Sequence, residues 1–152
     1  INSFYSQEWN YVATNQGSGI IGTLDVANGH LYIGGGFTQW EGLPSERIVS
    51  YNGIQWQTFP SGVSGDVQKV ISFDNKCVIA GGFFSAGGNP NFDKLATWNG
   101  SSWNGFGSEV TGTIRDLEVY QNKLFGIGNF EDLFNVTGLN DVFQFDGSTF
   151  TD

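Results

Sequence analysis

The stretch Leu95–Phe106, LATWNGSSWNGF, sets two short aromatic strands on either side of an Asn-Gly pair. A two-residue type I′ hairpin needs φ > 0 at both central positions, and Asn and Gly tolerate this best. Trp98 and Trp103 flank the pair, so a tight hairpin is expected there. The arrangement recurs along the chain. Tyr51-Asn52-Gly53 leads to Trp56, Phe145-Asp146-Gly147 leads to Phe150, and a degenerate copy runs from Phe4 to Trp9. The first aromatics stand at positions 4, 51, 98 and 145 and the second at 9, 56, 103 and 150, so both series step by 47. The chain is built of repeats.

A period near 47 suits propellers and helical solenoids alike, so the contents of one repeat decide between them. Each repeat opens on an apolar strand: Ile20–Val26, Val67–Phe73, Ile114–Val119. A turn follows at Asn28-Gly29, Asp74-Asn75 and Gln121-Asn122. Next comes an apolar strand ending in glycines and Phe: LYIGGGF (Leu31–Phe37), VIAGGFF (Val78–Phe84) and LFGIGNF (Leu124–Phe130). A longer polar loop then leads to the aromatic hairpin. That makes four strands per unit and no segment of helical periodicity. A lone twisted four-stranded sheet leaves apolar surface in water, so such units pack face to face as propeller blades.

These residues carry a resemblance. An apolar strand ending in a glycine pair and followed by two spaced aromatics resembles the kelch repeat of β-propellers. The fuller pattern, LYIGGGFT, a loop, then SYNGIQW, is similar to the kelch-like, galactose-oxidase-type propellers in ectodomains of fungal cortical polarity-marker proteins and in bacterial surface proteins. It covers nearly the whole chain and implies an all-β propeller at the cell surface or outside the cell. It leaves activity open, because propellers host binding, scaffolding and catalysis alike. In the third copy Gly126-Ile127-Gly128 interrupts the glycine pair, and a distortion of that blade is expected.

Composition agrees with many short strands and an aromatic interior: 23 Gly, 14 Phe, 5 Trp and 5 Tyr in 152 residues. With a net charge of −9 and no basic cluster, nucleic acid and anionic membrane are not expected partners. No apolar run reaches the roughly 18 residues of a membrane helix. The chain has no methionine, so Ile1 is read as following a removed leader or belonging to a longer polypeptide. Cys77 is the one cysteine, which leaves no intrachain disulfide; it reads as a buried apolar thiol.

The expected organisation is a single repeat domain over residues 1–152. Residues 1–12 form a half-blade, and blades span 18–59, 65–106 and 112–152, about three and a half blades in all. Propellers typically close with four to eight blades. The half-blade is therefore expected to pair with another subunit or with the remainder of a longer chain, giving a ring or a filament.

No residues assemble into a recognisable catalytic or cofactor site. His30 is the one histidine and sits at a turn, with no Ser/His/Asp pattern around it. A zinc site lacks ligands, and the glycine runs end strands with no following helix, so they are not phosphate loops. Glu41, Glu46, Asp93, Glu131, Asp132 and Asp141 gather in the loops after the glycine strands. They have no Asp-x-Asp-x-Asp spacing, so a solvated acidic rim is expected rather than a calcium site. Trp40, Leu43, Phe92, Leu133 and Phe134 lie in the same loops. They read either as an interface or sugar-stacking surface, or as covers folded back over the blade edge. Phe4, Trp9, Trp40, Phe92 and Phe134 are the candidate interface. Two N-glycosylation sequons start at Asn99 and Asn135. Turn chemistry already explains the first, so Asn135 is the better acceptor. The expectation is a non-enzymatic, extracellular structural or adhesive glycoprotein module with no cofactor or metal, partnered by protein, chiefly further copies of itself or the rest of a longer chain. The first alternative is a lectin-like propeller that binds glycan; the second, which the galactose-oxidase resemblance suggests, is an oxidase-type propeller enzyme, and the lack of His and Cys ligands argues against it.

Overall fold

The computed structural model describes residues 18–59, 61–107, 110–133, 136–139 and 141–151. The expected half-blade over residues 1–12, with Phe4 and Trp9, lies outside them. In the first repeat, β1 (Ile21–Ala27) and β2 (His30–Gly35) are followed by a small flap of β3 (Gln39–Trp40) and β4 (Leu43–Pro44). Strands β5 (Ile48–Tyr51) and β6 (Trp56–Thr58) complete an antiparallel sheet in the order β1-β2-β5-β6. The second sheet runs β7 (Val67–Phe73), β8 (Lys76–Gly81), β9 (Leu95–Trp98), β10 (Trp103–Gly105). In the third repeat come β11 (Gly112–Tyr120) and β12 (Lys123–Phe130), then the flap β13 (Asp132–Leu133) and β14 (Val136–Thr137), then β15 (Val142–Phe145) and β16 (Phe150–Thr151). Its sheet order is β11-β12-β15-β16. The described residues are thus all-β: three four-stranded antiparallel sheets, whose first strands lie side by side, β1 against β7 and β7 against β11.

Successive side chains on a strand point to opposite faces, and here both faces of the middle sheet are buried. On β8, Cys77 and Ile79 face the first sheet, where they meet Ala27, Tyr32 and Ile48. Val78 and Ala80 face the third, where they meet Ile114, Leu117, Leu124 and Phe143. A third cluster, Ile33, Phe37, Trp40 and Val49, covers the other face of the first sheet. Side chains also tie the first strands together. The Val70 amide donates to Thr23 Oγ1 (3.0 Å), the Ser72 amide donates to Asp25 Oδ2 (2.7 Å), and Lys69 pairs with Asp116 (2.9 Å).

The hairpins divide their turn chemistry differently from the sequence expectation. The two-residue turns with φ > 0 at both positions join the first and second strands of each sheet. They are Asn28-Gly29 (52°, 72°), Asp74-Asn75 (49°, 56°) and Gln121-Asn122 (49°, 60°). The aromatic hairpins are longer. Tyr51 pairs with Trp56, Trp98 with Trp103 and Phe145 with Phe150, so each loop has four residues, and only the glycine has positive φ. The Asn or Asp bends each loop with its side chain instead: Asn99 Oδ1 accepts from the Ser101 and Ser102 amides, both at 2.9 Å. Asn52 and Asp146 do the same in their own loops.

Two further backbone devices recur. Arg47, Lys94 and Asp141, 47 residues apart, all adopt left-handed φ (67°, 56°, 66°). Each donates its amide to Phe37, Phe83 or Phe130 and accepts from Gly35, Gly81 or Gly128 through its carbonyl. The second device is a β-bulge in each first strand, opposite those same glycines. A Cβ on Gly35, Gly81 or Gly128 would strike the carbonyl oxygen of Ile20, Asp66 or Thr113 in its own sheet. At Gly34 it is the neighbouring sheet that demands glycine, because a Cβ there would come 2.5 Å from Val67 Cγ1. The third sheet is not distorted as expected, because Gly128 fills the place of Gly81 and the register is the same.

This assigns opposite outcomes to neighbouring glycines. Gly81→Ala is expected to destabilise by about 2–3 kcal/mol, because the obstacle is backbone. A Cβ on Gly82 meets nothing within 4 Å, so Gly82→Ala is expected to stay within about 0.5 kcal/mol of the parent. Urea unfolding of both variants measures the difference; equal losses would contradict the assignment.

Candidate functional site

The apolar loop residues divide by burial. Trp40 is 3% exposed, packed between Phe37 (centroids 5.4 Å) and Trp56 (4.7 Å), so it is no sugar-stacking or interface surface. The cause is the flap, which turns Trp40 inward onto the first sheet. Leu133 does the same at the third sheet and is fully buried, while Leu43 stays half exposed. Phe92 folds back as well: it packs on the cluster of Trp103 and Ala96, and its ring lies directly over Gly105. Of the expected interface residues, Phe4, Trp9 and Phe134 lie outside the described residues, as does Asn135.

Asn99 is exposed, but both ends of its amide are engaged. Its Oδ1 holds the loop and also accepts from the Ser101 hydroxyl (3.0 Å), and its Nδ2 donates to Ser102 Oγ (3.1 Å). Asp146 holds the equivalent loop. Hydrogen bonds from the Thr149 and Ser148 amides push its carboxyl well below the usual range. Cys77 is fully buried, and burial pushes its thiol up, which keeps it protonated and unreactive. His30 bonds through Nδ1 to the Asn28 carbonyl oxygen (3.0 Å), closing the turn on which it sits. Among the loop carboxylates, Asp141 accepts from the Phe130 amide and Asp132 from the Gly138 amide. Burial raises Asp93 and lowers its neighbour Lys94, whose Nζ donates to the Phe83 carbonyl oxygen.

What the sequence reading missed is a cleft that forms where two sheets meet at their aromatic hairpins. Between the second and third sheets it measures about 340 Å³. Phe106 stands edge-on to Phe145 (5.2 Å) to form its floor, with Phe73 alongside. Thr97, Asn104 and the Lys76–Asp74 ion pair (2.6 Å) supply its polar wall. Two shallower hollows adjoin it, one sharing Phe106 and Phe145 and the other Phe73 and Asp74. The same cleft recurs one repeat earlier, between the first and second sheets, at about 70 Å³. Ser50 stands there for Thr97, Gln57 for Asn104, Thr58 for Gly105, Phe59 for Phe106 and Trp98 for Phe145. Each pair is 47 residues apart. At two of the positions whose side chains face the junction the first cleft carries the larger group: Gln57 and Trp98. That difference closes it.

A family model of the Rax2 C-terminal beta propeller domain matches residues 14–152. The chain belongs to this family. The match agrees with the four-stranded sheets stacked on their first strands. The chain has no match among the curated proteins.

In this propeller domain the side chain that bends each aromatic hairpin must carry an acceptor oxygen. Asn99→Asp is therefore expected to preserve stability, as Asp146 does in its own repeat, and Asn99→Ala to cost about 1 kcal/mol. Thermal melts of the two variants compare them. Asp146 adds a pH dependence. Its folded pKa lies below the unfolded value of about 3.9, so its contribution is present above that pH and lost as pH falls through the folded value. Asp146→Asn keeps the acceptor and is expected to flatten stability against pH below about 4; an unchanged acid limb would contradict this.

Proposed function

We propose that this Rax2-family propeller segment is a non-enzymatic, extracellular structural module whose end faces dock further repeat units of the same kind. The observation that carries the reading is an equivalence of faces. On the second sheet, Val78, Ala80 and Leu95 are fully buried beneath the third sheet. The equivalent residues of the third sheet by strand register are Phe125, Ile127 and Val142. Ile127 is 52% and Val142 44% exposed, and Tyr120, which packs near Phe125, is 62% exposed. At the other end, Leu24 (62%) and Val26 (56%) are exposed on β1, whereas Val70 and Leu117, the equivalents of Leu24, are buried against the preceding sheet. One end thus offers the face that the other end is built to cover. Apolar burial contributes about 25 cal/mol per Å², so an uncovered pair of such faces favours a further sheet on each. Their likeness makes the contact head-to-tail, supplied in the same polypeptide or by another copy.

Light scattering on residues 1–152 tests the reading. The expected result is concentration-dependent association that the double change Ile127→Lys and Val142→Lys abolishes while the far-ultraviolet β signal is kept. A parent chain that stays monomeric and folded at all concentrations would overturn it.

A further inference from the structure

We propose that the cleft between the second and third sheets is a binding site for a neutral saccharide. The slot is a product of the repeat itself, since it forms at the same positions in both described sheet–sheet junctions. Its opening is a property of particular side chains, since Asn104 and Phe145 leave room where Gln57 and Trp98 take it. At about 340 Å³ it falls in the range of small-ligand sites.

The lining chooses the ligand class. A pyranose ring has an apolar C–H face and a rim of hydroxyls, each both donor and acceptor. Phe106 and Phe145 give the C–H face an aromatic floor. On the wall, Asn104 and Thr97 offer amide and hydroxyl groups that match hydroxyls in either sense. The polar contacts of those side chains are long, 3.3 Å from Asn104 Nδ2 to the Ser102 carbonyl and 3.3 Å from Thr97 Oγ1 to the Asn104 carbonyl, so each can exchange its partner for a ligand. Lys76 and Asp74 neutralise each other, so the wall adds no net charge. With a chain charge of −9, an acidic sugar would be repelled on approach. Phe92 also acquires a role here: its ring occupies the space behind Gly105, which holds that edge of the cleft in place.

The test is NMR titration of the folded chain with neutral hexa-oligosaccharides of glucose, mannose and N-acetylglucosamine, with hexagalacturonate as the acidic counterpart. Saturable shifts are expected at cleft residues for at least one neutral sugar, in the millimolar to high-micromolar range of a shallow single site. Asn104→Ala and Lys76→Met change partly or wholly exposed side chains and are expected to weaken binding at least tenfold with an unchanged Tm. The complementary variant is made in the other cleft: Gln57→Asn with Trp98→Phe, the residues that the open cleft carries, is expected to open it and raise the stoichiometry from one site to two. Absence of shifts at 20 mM of every neutral sugar, preference for the acidic one, or affinity indifferent to Asn104→Ala would each overturn the proposal. Binding of a peptide rather than a sugar at the same residues would do so as well. Self-association through the end faces is read separately by light scattering, so either proposal can fail alone.

Discussion

Each four-stranded sheet of this chain is apolar on both faces, and no sheet can bury both by itself. Cys77 and Val78 are neighbours on β8, point to opposite sides and are both fully buried. That state exists only because one sheet lies on either side. The stability of every repeat is therefore tied to its neighbours, as in other linear repeat architectures. Position by position, the sequence adjusts to how closely the next sheet approaches. At one site it places Gly34 where Val67 presses in, Ala80 where there is room for a methyl group, and Ile127 where no described sheet follows.

The backbone meets this constraint with devices that are not apolar at all. The bulge in each first strand and the left-handed residue before each third strand converge on one glycine, Gly35, Gly81 or Gly128. The left-handed residues are Arg47, Lys94 and Asp141, none of them glycine, and such a conformation costs an ordinary residue about 1–2 kcal/mol. Two backbone hydrogen bonds at each position hold it there. These sites explain what the sequence could and could not disclose. The period of 47, the four strands and the propeller class were legible because aromatics and glycines mark them in the sequence. The left-handed residues were not, because Arg, Lys and Asp share no chemistry that announces positive φ.

The turns teach the same lesson in reverse. Asn99-Gly100 carries the residue signature of a two-residue turn, yet the loop holds four residues because the Asn side chain, rather than its backbone, makes the bend. Gln121-Asn122 lacks the preferred glycine and still forms the tight turn, since the pairing of β11 with β12 leaves only two residues to connect them. Pairing of the flanking strands overrides local preference in both cases. The cleft escaped the sequence reading for another reason. Its floor combines Phe106 and Phe145 from different repeats, and its size depends on Asn104 and Phe145 differing from Gln57 and Trp98. A search for repetition finds what the repeats share, whereas the capacity to bind lies in how they differ.

Polar side chains give the stack a direction that apolar faces alone lack. Asp25 accepts its own neighbour's amide, that of Val26, through Oδ1, and reaches across to the Ser72 amide of the next sheet through Oδ2. At the same place the second sheet carries Ile71, buried beneath the third. The third sheet returns to a carboxylate. Glu118 Oε1 accepts from the Val119 amide, repeating the local half of the Asp25 arrangement. Its other oxygen has no partner among the described residues. A sheet docking on this face by the geometry of the first junction would bring to Glu118 a backbone amide from its own first strand, as Ser72 does for Asp25. A sheet docking in the reverse sense would have to bury that carboxylate unpaired, at a cost of several kcal/mol. On the proposed docking, a sheet on this end face would therefore be held to one orientation by a charge that only that orientation satisfies.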